Sequence, residues 1–289
     1  MILQSEIIRK AEEVGVPPDT IDKNWVLGHF LNELYKTSWA KEFLVFKGGT
    51  CLKKCYFENY RFSEDLDFTL VNPDFVVTNR LLQSICDQIT KSIGIQFSKV
   101  KIEPIRWEDK QVGYTTHIRF WGANHRKNQQ PPAADRWQTS IKIEIVTYEL
   151  MVNPPINRPL FSGYSDAALF ENTLIPCYSI LEVVSEKFRA LLQRSYPAPR
   201  DYYDLWYLLQ QKELIDWEEI IPTFFQKANY KKVEFTDYSD FFETEQIRKV
   251  KQAWNGSLKS HLSEDALPDV DSAISELQEI CKSIVWKEK

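Results

Sequence analysis

Glycine is scarce in this chain, 9 among 289 residues, and methionine is scarcer still at 2. A sequence so poor in glycine has few places for backbone that other residues avoid, so two glycines in a row mark a turn. Long apolar runs are missing: none approaches the ~18 residues that would span a bilayer. The start, MILQSEIIRKAEE, carries charge from its first residues and lacks the apolar segment of a signal peptide. Both absences predict a soluble protein with no membrane association. The five cysteines, Cys51, Cys55, Cys86, Cys177 and Cys281, are few, odd in number and scattered, and no histidine stands near them at zinc-ligand spacing. Free thiols in a reducing cytoplasm are the expectation. An excess of positive charge is also lacking: 36 basic against 41 acidic residues give a net charge of −5. Nucleic acid is therefore not held by bulk charge, and any such site must be local. The low hydrophobicity of disordered chains is absent too, since 43% of residues are hydrophobic and 13% aromatic.

The length accommodates one large domain or two modest ones. Apolar residues at Ile21, Trp25, Leu27, Phe30, Leu31, Leu34 and Tyr35 predict an amphipathic helix from Asp19 to about Ala40, with a shorter helix before it. Phe43 to Phe46 is a short apolar run cut off by Lys47-Gly48-Gly49, after which Thr50 opens a helical stretch to about Tyr56. Asp65 to Leu70 alternates with period two and reads as a strand, followed by a helix up to Gly94. Further strands are expected at about 95–106, 113–121 and 137–147, with a polar hairpin connection over 124–136. Beyond the proline-rich 153–159, helical patterns follow at about 178–194, 200–212, 217–229, 239–255 and 269–285. The expectation is an α+β protein, with a mixed-sheet domain and its N-terminal helices over 1–155 and a helical domain over 156–289 that completes the cleft.

Asp65 and Asp67 stand two apart on a strand, so both carboxylates face one way and can share a divalent cation. Their mutual repulsion raises one pKa unless a cation neutralises them, and hard oxygen ligands of this kind suit Mg²⁺. Alone, such a pair is more often a solvated strand edge. Upstream, however, Gly48-Gly49-Thr50 ends one strand and opens a helix, where free backbone N–H groups favour a phosphate. A phosphate cradle followed by a carboxylate pair on the next strand is the layout that nucleotidyl transfer needs.

The segment Phe46-Lys47-Gly48-Gly49-Thr50-Cys51-Leu52 followed by Arg61-Phe62-Ser63-Glu64-Asp65-Leu66-Asp67-Phe68 resembles the AbiEii/AbiGii toxin nucleotidyltransferases, within the DNA polymerase beta-like nucleotidyltransferase superfamily. The resemblance implies a nucleotidyltransferase-like fold and an enzyme that moves a nucleoside monophosphate from an NTP to a macromolecular hydroxyl with Mg²⁺. Gly48, Gly49, Thr50 and Ser63 would hold the nucleotide, and Asp65 and Asp67 the metals. It further implies the toxin of a toxin–antitoxin or abortive-infection system, with a cognate antitoxin as partner and a tRNA end or a protein side chain as acceptor. The superfamily's third acid points to Glu144, on the strand Ile141 to Val146 with Lys142 on the same face. A half-exposed strand with solvated charges explains Glu144 equally well.

In the back half, Lys187 and Arg194 lie seven apart on one helix, within about 20° of each other at 100° per residue. Asp201 and Asp204 share one side of the next helix, which follows Pro197-Ala-Pro199. Such cations are more often only a solvated face, and acids at a helix start also simply complement the dipole, so from the residues alone structure and function are near parity. Glu186-Lys187-Phe188-Arg189-Ala190 and Arg200-Asp201-Tyr202-Tyr203-Asp204 resemble the family's later E-K-x-x-A and R-D-x-Y-D motifs, which assigns Lys187 to the nucleotide phosphates and Asp201, ahead of Asp204, to activity. His117, Arg119, Trp121, His125, Arg126, Lys127, Arg136 and Trp137 interleave basic and aromatic groups that could stack on RNA, although a solvent loop flanked by core tryptophans is the plainer reading. Cys51 and Cys55, one helical turn apart, make a poor zinc site as a pair and read as packing residues. Trp206, Trp217 and Trp254 read as packing anchors. The alternative to an enzyme is a catalytically idle fold kept for binding RNA or a partner protein, against which the intact D-x-D and E-K-x-x-A motifs weigh.

Overall fold

A computed structural model describes residues 1–126 and 128–288. Lys127, part of the basic and aromatic stretch, lies outside them. The chain divides into two units, Met1–Glu149 with Pro155–Cys177 and Leu150–Pro154 with Tyr178–Lys289.

The first unit begins with α1 (Gln4–Val14), which ends on Gly15 in the left-handed region at φ 73°. Next, α2 (Pro18–Leu34) starts with a proline, whose fixed φ suits the first helical turn. Trp25, Leu27, Phe30 and Leu31 on α2 are buried. The expected continuation to Ala40 breaks into a separate short helix, α3 (Ser38–Phe43). Strand β1 (Leu44–Lys47) leads directly into α4 (Gly48–Cys51), which runs on as a π-helical turn over Leu52–Tyr56. The helix thus opens at Gly48, two residues before the expected Thr50. Strand β2 (Asp65–Leu70) precedes α5 (Asn79–Ile93), which is capped by the Thr78 hydroxyl accepting from the Leu81 N–H at 3.4 Å and closed by Gly94 at φ 92°. The strand expected over 95–106 is two short ones, β3 (Gln96–Phe97) and β4 (Glu103–Trp107). They are followed by β5 (Lys110–Trp121), β6 (Ser140–Val146), β7 (Ile156–Pro159) and β8 (Leu174–Cys177).

One mixed sheet runs β3-β5-β6-β2-β1-β8-β7, with β4 paired to β5. β2 lies antiparallel to β1 and parallel to β6, while β1 lies parallel to β8. β5 and β6 pair antiparallel across the long polar connection. Period two sorts the side chains: Leu66, Phe68 and Leu70 of β2 and Ile141, Ile143 and Ile145 of β6 face the core, leaving Asp65, Asp67, Lys142 and Glu144 on the opposite face. Each fully buried aliphatic or Phe side chain there contributes about 1.5–3 kcal/mol. The boundary expected at 155 is overtaken by β7 and β8, which extend the sheet at the β1 edge and keep residues 155–177 with the first unit.

The second unit is helical. α6 (Ile180–Gln193) is capped by the Ser179 hydroxyl, which accepts from the Glu182 N–H at 3.1 Å. It is followed by α7 (Pro199–Leu209), α8 (Trp217–Lys231), α9 (Thr244–Leu258) and α10 (Val270–Ser283). Its aromatic core has ring centroids 5.0 Å apart for Phe188 and Phe241, 5.1 Å for Phe241 and Trp286, and 5.5 Å for Phe224 and Trp286. Trp254 is buried as expected of an anchor, whereas Trp206 and Trp217 are only half-buried. Beside the aromatic rings, a fully buried ion pair joins Lys227 Nζ to Glu182 Oε1 at 2.6 Å. The Glu182 carboxylate also accepts from the backbone N–H groups of Val152 and Asn153 at 3.1 and 2.9 Å, which ties residues 150–154 into this unit.

Candidate active site

The glycine turn and the carboxylate pair meet at one end of the β1–β2 ladder. Lys47, the last residue of β1, pairs with Asp67 of β2, so the chain enters Gly48 directly beside that carboxylate. Gly48 adopts φ +79°, and a Cβ placed on it would lie 2.4 Å from Asp67 Oδ2 and 3.2 Å from Asp67 Cβ and Cγ. Only glycine permits this backbone direction and this approach together. Gly49 is pressed in turn against the end of the following motif: a Cβ there would meet Arg61 Nη2 at 2.8 Å and Ser63 Oγ at 3.1 Å. The turn therefore touches two parts of R-F-S-E-D-L-D at once. Thr50 is fully buried, and its hydroxyl donates to the Asp65 carbonyl oxygen at 2.5 Å. That bond fixes the first helical turn onto β2 and occupies the hydroxyl hydrogen, so Thr50 serves this corner as a brace.

On the polar face of the sheet, the parallel register sets Asp65 level with Lys142 and Asp67 level with Glu144. On the other side of β6, Thr115 of β5 stands level with Glu144, and its buried hydroxyl has no hydrogen-bond partner among the described residues. Burial, then the charges of Asp65 and Glu144, push the Asp67 carboxyl up from its ordinary range to about 7, against the pull of Lys47 and Lys142. Lys142 forms an ion pair with Glu144, so part of the third acid's charge is spent within β6. Despite partial burial, the Lys142 ammonium is held above its ordinary pKa by Glu144, with Asp65 and Asp67 adding to the effect. Lys47, also buried, approaches Glu149 Oε2 at 3.8 Å. These hard carboxylate oxygens, mutually repelling and raising a pKa, are a donor set that a divalent cation such as Mg²⁺ would relieve. The residues present thus fit that ion, with the Asp pair better disposed to it than Glu144.

In the second unit, the two later motifs also converge. Lys187 of α6 lies 3.0 Å from Asp201 Oδ1 and 2.6 Å from Asp204 Oδ2, both on α7. Arg194 Nε, one heptad beyond Lys187, reaches Asp201 Oδ2 at 2.9 Å. The lysine is 11% exposed and Asp204 wholly buried, whereas Asp201 retains 8% exposure. This is a largely desolvated cluster of two cations and two carboxylates, with Asp204 as its buried floor. The helical periodicity that placed Lys187 beside the buried stripe was readable, but its double pairing was not.

Of the basic and aromatic stretch, His125 stacks on Trp121 with centroids 3.4 Å apart, and burial lowers the pKa of its imidazole. Trp137 is buried, and its indole N–H donates to the Pro132 carbonyl at 3.0 Å. Arg119 donates to the Asp135 carbonyl oxygen. Arg119, Trp121, His125 and Trp137 thus make contacts within their own segment, as expected of a solvent loop flanked by packed tryptophans. Sequence reasoning gave no role to Lys47 or Arg61, although both lie inside the motifs and touch the turn residues or the Asp pair.

A mixed sheet that carries a glycine turn against a D-x-D strand, joined to a helical unit, defines a nucleotidyltransferase. The chain belongs to the family described as nucleotidyl transferase AbiEii toxin, type IV toxin–antitoxin system, whose model matches residues 29–276. Among solved structures it is similar in fold to MenT4, a nucleotidyltransferase toxin from Mycobacterium tuberculosis H37Rv, at 17% identity and TM-score 0.66, covering 99% of this chain and 91% of that one. A putative nucleotidyltransferase from H. pylori is similar at 17% identity and TM-score 0.53, covering 91% of this chain and 93% of that one. No curated protein matches the sequence. No helix among the described residues is long and apolar enough to cross a membrane.

Proposed function

We propose that this enzyme transfers a nucleoside monophosphate from an NTP to a macromolecular hydroxyl, releasing pyrophosphate, with Asp65 and Asp67 as ligands of Mg²⁺. The contact of Gly48 with the Asp67 carboxylate carries this reading, because a phosphate at the turn and a metal at the strand would then be neighbours. When bound, the metal would polarise the α-phosphate and activate the acceptor oxygen. The backbone N–H groups of the turn, with Ser63, are assigned to the triphosphate, and Arg61 packs close against Gly49, leaving no room for a side chain there. Glu144 serves as a third acid whose charge Lys142 restrains until a metal enters. For the second unit, Lys187 neutralises nucleotide charge, and Asp201 and Asp204 hold its ammonium in place.

The acceptor is an RNA end, such as that of a tRNA, or a protein side chain, and a cognate antitoxin is the expected partner. A cytoplasmic setting accords with five unpaired thiols. Incubation of the purified protein with total cellular RNA, cell protein and either α-labelled or γ-labelled NTP tests the reaction class. Label transferred from the α position, to RNA or to protein, is the expected result. Transfer of γ-label alone would make the enzyme a kinase, and transfer of neither would favour the idle binding fold.

A further inference from the structure

Three of the four cysteines in the first-unit core, Cys51, Cys55 and Cys177, are drawn together from separate parts of the chain, while Cys86 is not among them. Cys51 closes α4, Cys55 lies in the π-helical turn that follows, and Cys177 ends β8, next to Phe46 of β1 in the parallel register. All three are free thiols and fully buried, with their sulfur atoms within 4.8 Å of one another. The sequence shows Cys51 and Cys55 as a pair, too few to bind a metal. Folding supplies the third donor. Buried cysteine is often just a small hydrophobe; here the three thiols also hydrogen-bond to one another, which sets three sulfur donors around one point.

A separation of no more than 4.8 Å leaves room for a metal-binding chemistry. Metal–thiolate bonds of about 2.3 Å arranged around one trigonal ion set the sulfurs roughly 4 Å apart. Soft thiolate donors select Cu⁺ and Zn²⁺ over the hard cation expected at the Asp65–Asp67 face. Positive charge to balance three thiolates lies close: Arg158 donates through Nε to the Cys55 carbonyl at 3.1 Å, with its guanidinium 4.6 Å from the centre of the Tyr56 ring. A π-helical turn is itself frequent at functional sites, and this one carries Cys55.

We propose that Cys51, Cys55 and Cys177 form a closed three-thiolate site for a thiophilic d¹⁰ cation, Cu⁺ or Zn²⁺. Binding replaces three S–H bonds by three metal–sulfur bonds and releases the protons to solvent, with no change of oxidation state. Because Cys51 directly follows Thr50, the ion clamps the helix of the glycine turn onto β8, and metal occupancy then sets how firmly that turn is held.

The test uses the full chain, purified under anaerobic reducing conditions and stripped by a chelator. Titration with Cu⁺, and separately with Zn²⁺, should show one tight equivalent of at least one of them and a raised thermal midpoint. Uptake of Cu⁺ alone points to the trigonal form, and uptake of Zn²⁺ as well to a fourth ligand recruited on binding. Cys177→Ser should reduce uptake at least tenfold. Cys177→Ala covers the case in which the serine hydroxyl disturbs the core, and Cys86→Ser and Cys281→Ser should bind like the parent. Co²⁺ in place of Zn²⁺ should give thiolate-to-metal charge-transfer absorption that disappears in Cys55→Ala. Uptake below a tenth of an equivalent for both ions would overturn the proposal. So would equal uptake by the Cys177 variants, or a disulfide within the trio in protein prepared under these conditions.

Discussion

Replacement of Gly48 by alanine isolates the geometry on which the proposed site depends. The substitution meets two separate costs. At φ +79° an L-residue is less favourable than glycine by roughly 1–2 kcal/mol. The new Cβ would also stand 2.4 Å from Asp67 Oδ2 and 3.2 Å from its Cβ. The carboxylate can swing aside, but its Cβ is fixed by the pairing of Asp67 with Lys47 and Glu144. Relief of the clash therefore moves the oxygen proposed to bind the metal, and the total loss of stability should be about 2–3 kcal/mol. Misplacement of a reacting group by about 1 Å can cost 10²-fold in rate, so transfer should fall on the order of 100-fold or more while far-UV circular dichroism stays native. In an Asp67→Ala background the carboxylate is gone while the Cβ contact at 3.2 Å remains, so the same Gly48→Ala change should cost less than in the parent, a non-additivity of about 1 kcal/mol in urea unfolding. Gly49→Ala, at a position where no positive φ is required, should be milder. Parental transfer rates in Gly48→Ala, or strict additivity with Asp67→Ala, would refute the claim that this turn positions the carboxylate.

Asp67→Asn should abolish transfer yet stabilise the metal-free protein. Its carboxyl has a raised pKa in the fold, so its ionisation opposes folding as pH rises from about 4 to about 7, and the variant's gain at pH 8 in chelator should be roughly 2–4 kcal/mol, fading below pH 4. Equal urea midpoints for parent and variant at pH 8 would show that the pair is not electrostatically strained. Lys187→Ala leaves Asp204 buried without its nearest cation and should cost about 3–5 kcal/mol, with Lys187→Arg intermediate; unfolding followed by tryptophan fluorescence reads this, and an unchanged midpoint would show the ion pair to be idle. Asp22, buried against Gly122 and accepting the Ala123 N–H at 2.7 Å, is raised by burial to about 6. Stability of the parent should therefore fall between pH 4 and pH 6 by up to about 3 kcal/mol from this group, and Asp22→Asn should flatten that part of the profile.

What was readable in the sequence was whatever a local pattern dictates. Period two in Asp65–Leu70 fixed both the strand and the common face of its carboxylates, and two adjacent glycines in a glycine-poor chain marked the turn. The later motifs were legible as helix positions, since Pro199 and the Ser179 cap mark the helix starts. Strands β7 and β8 escaped because each has only four residues and contains a proline, Pro159 or Pro176, which ordinarily argues against a strand. Their membership in the sheet comes from pairing with β1 and with each other, which no local signal announces. The brace formed by Thr50, the restraint of Glu144 by Lys142 and the convergence of Cys177 on Cys51 and Cys55 are likewise tertiary. The hydroxyl of a G-G-T turn looks the same in sequence whether it faces a phosphate or a backbone carbonyl.

The Asp pair beside the glycine turn is proposed to perform metal-dependent nucleotidyl transfer. The most direct test compares transfer of α-label from each NTP by the parent, Asp65→Asn and Asp67→Asn, in Mg²⁺ and in excess chelator, with pyrophosphate release measured in parallel. The parent should transfer label and release pyrophosphate in equal amounts in Mg²⁺ alone, and both variants should be folded and inactive. Transfer that survives either substitution, or that proceeds undiminished in chelator, would contradict the account.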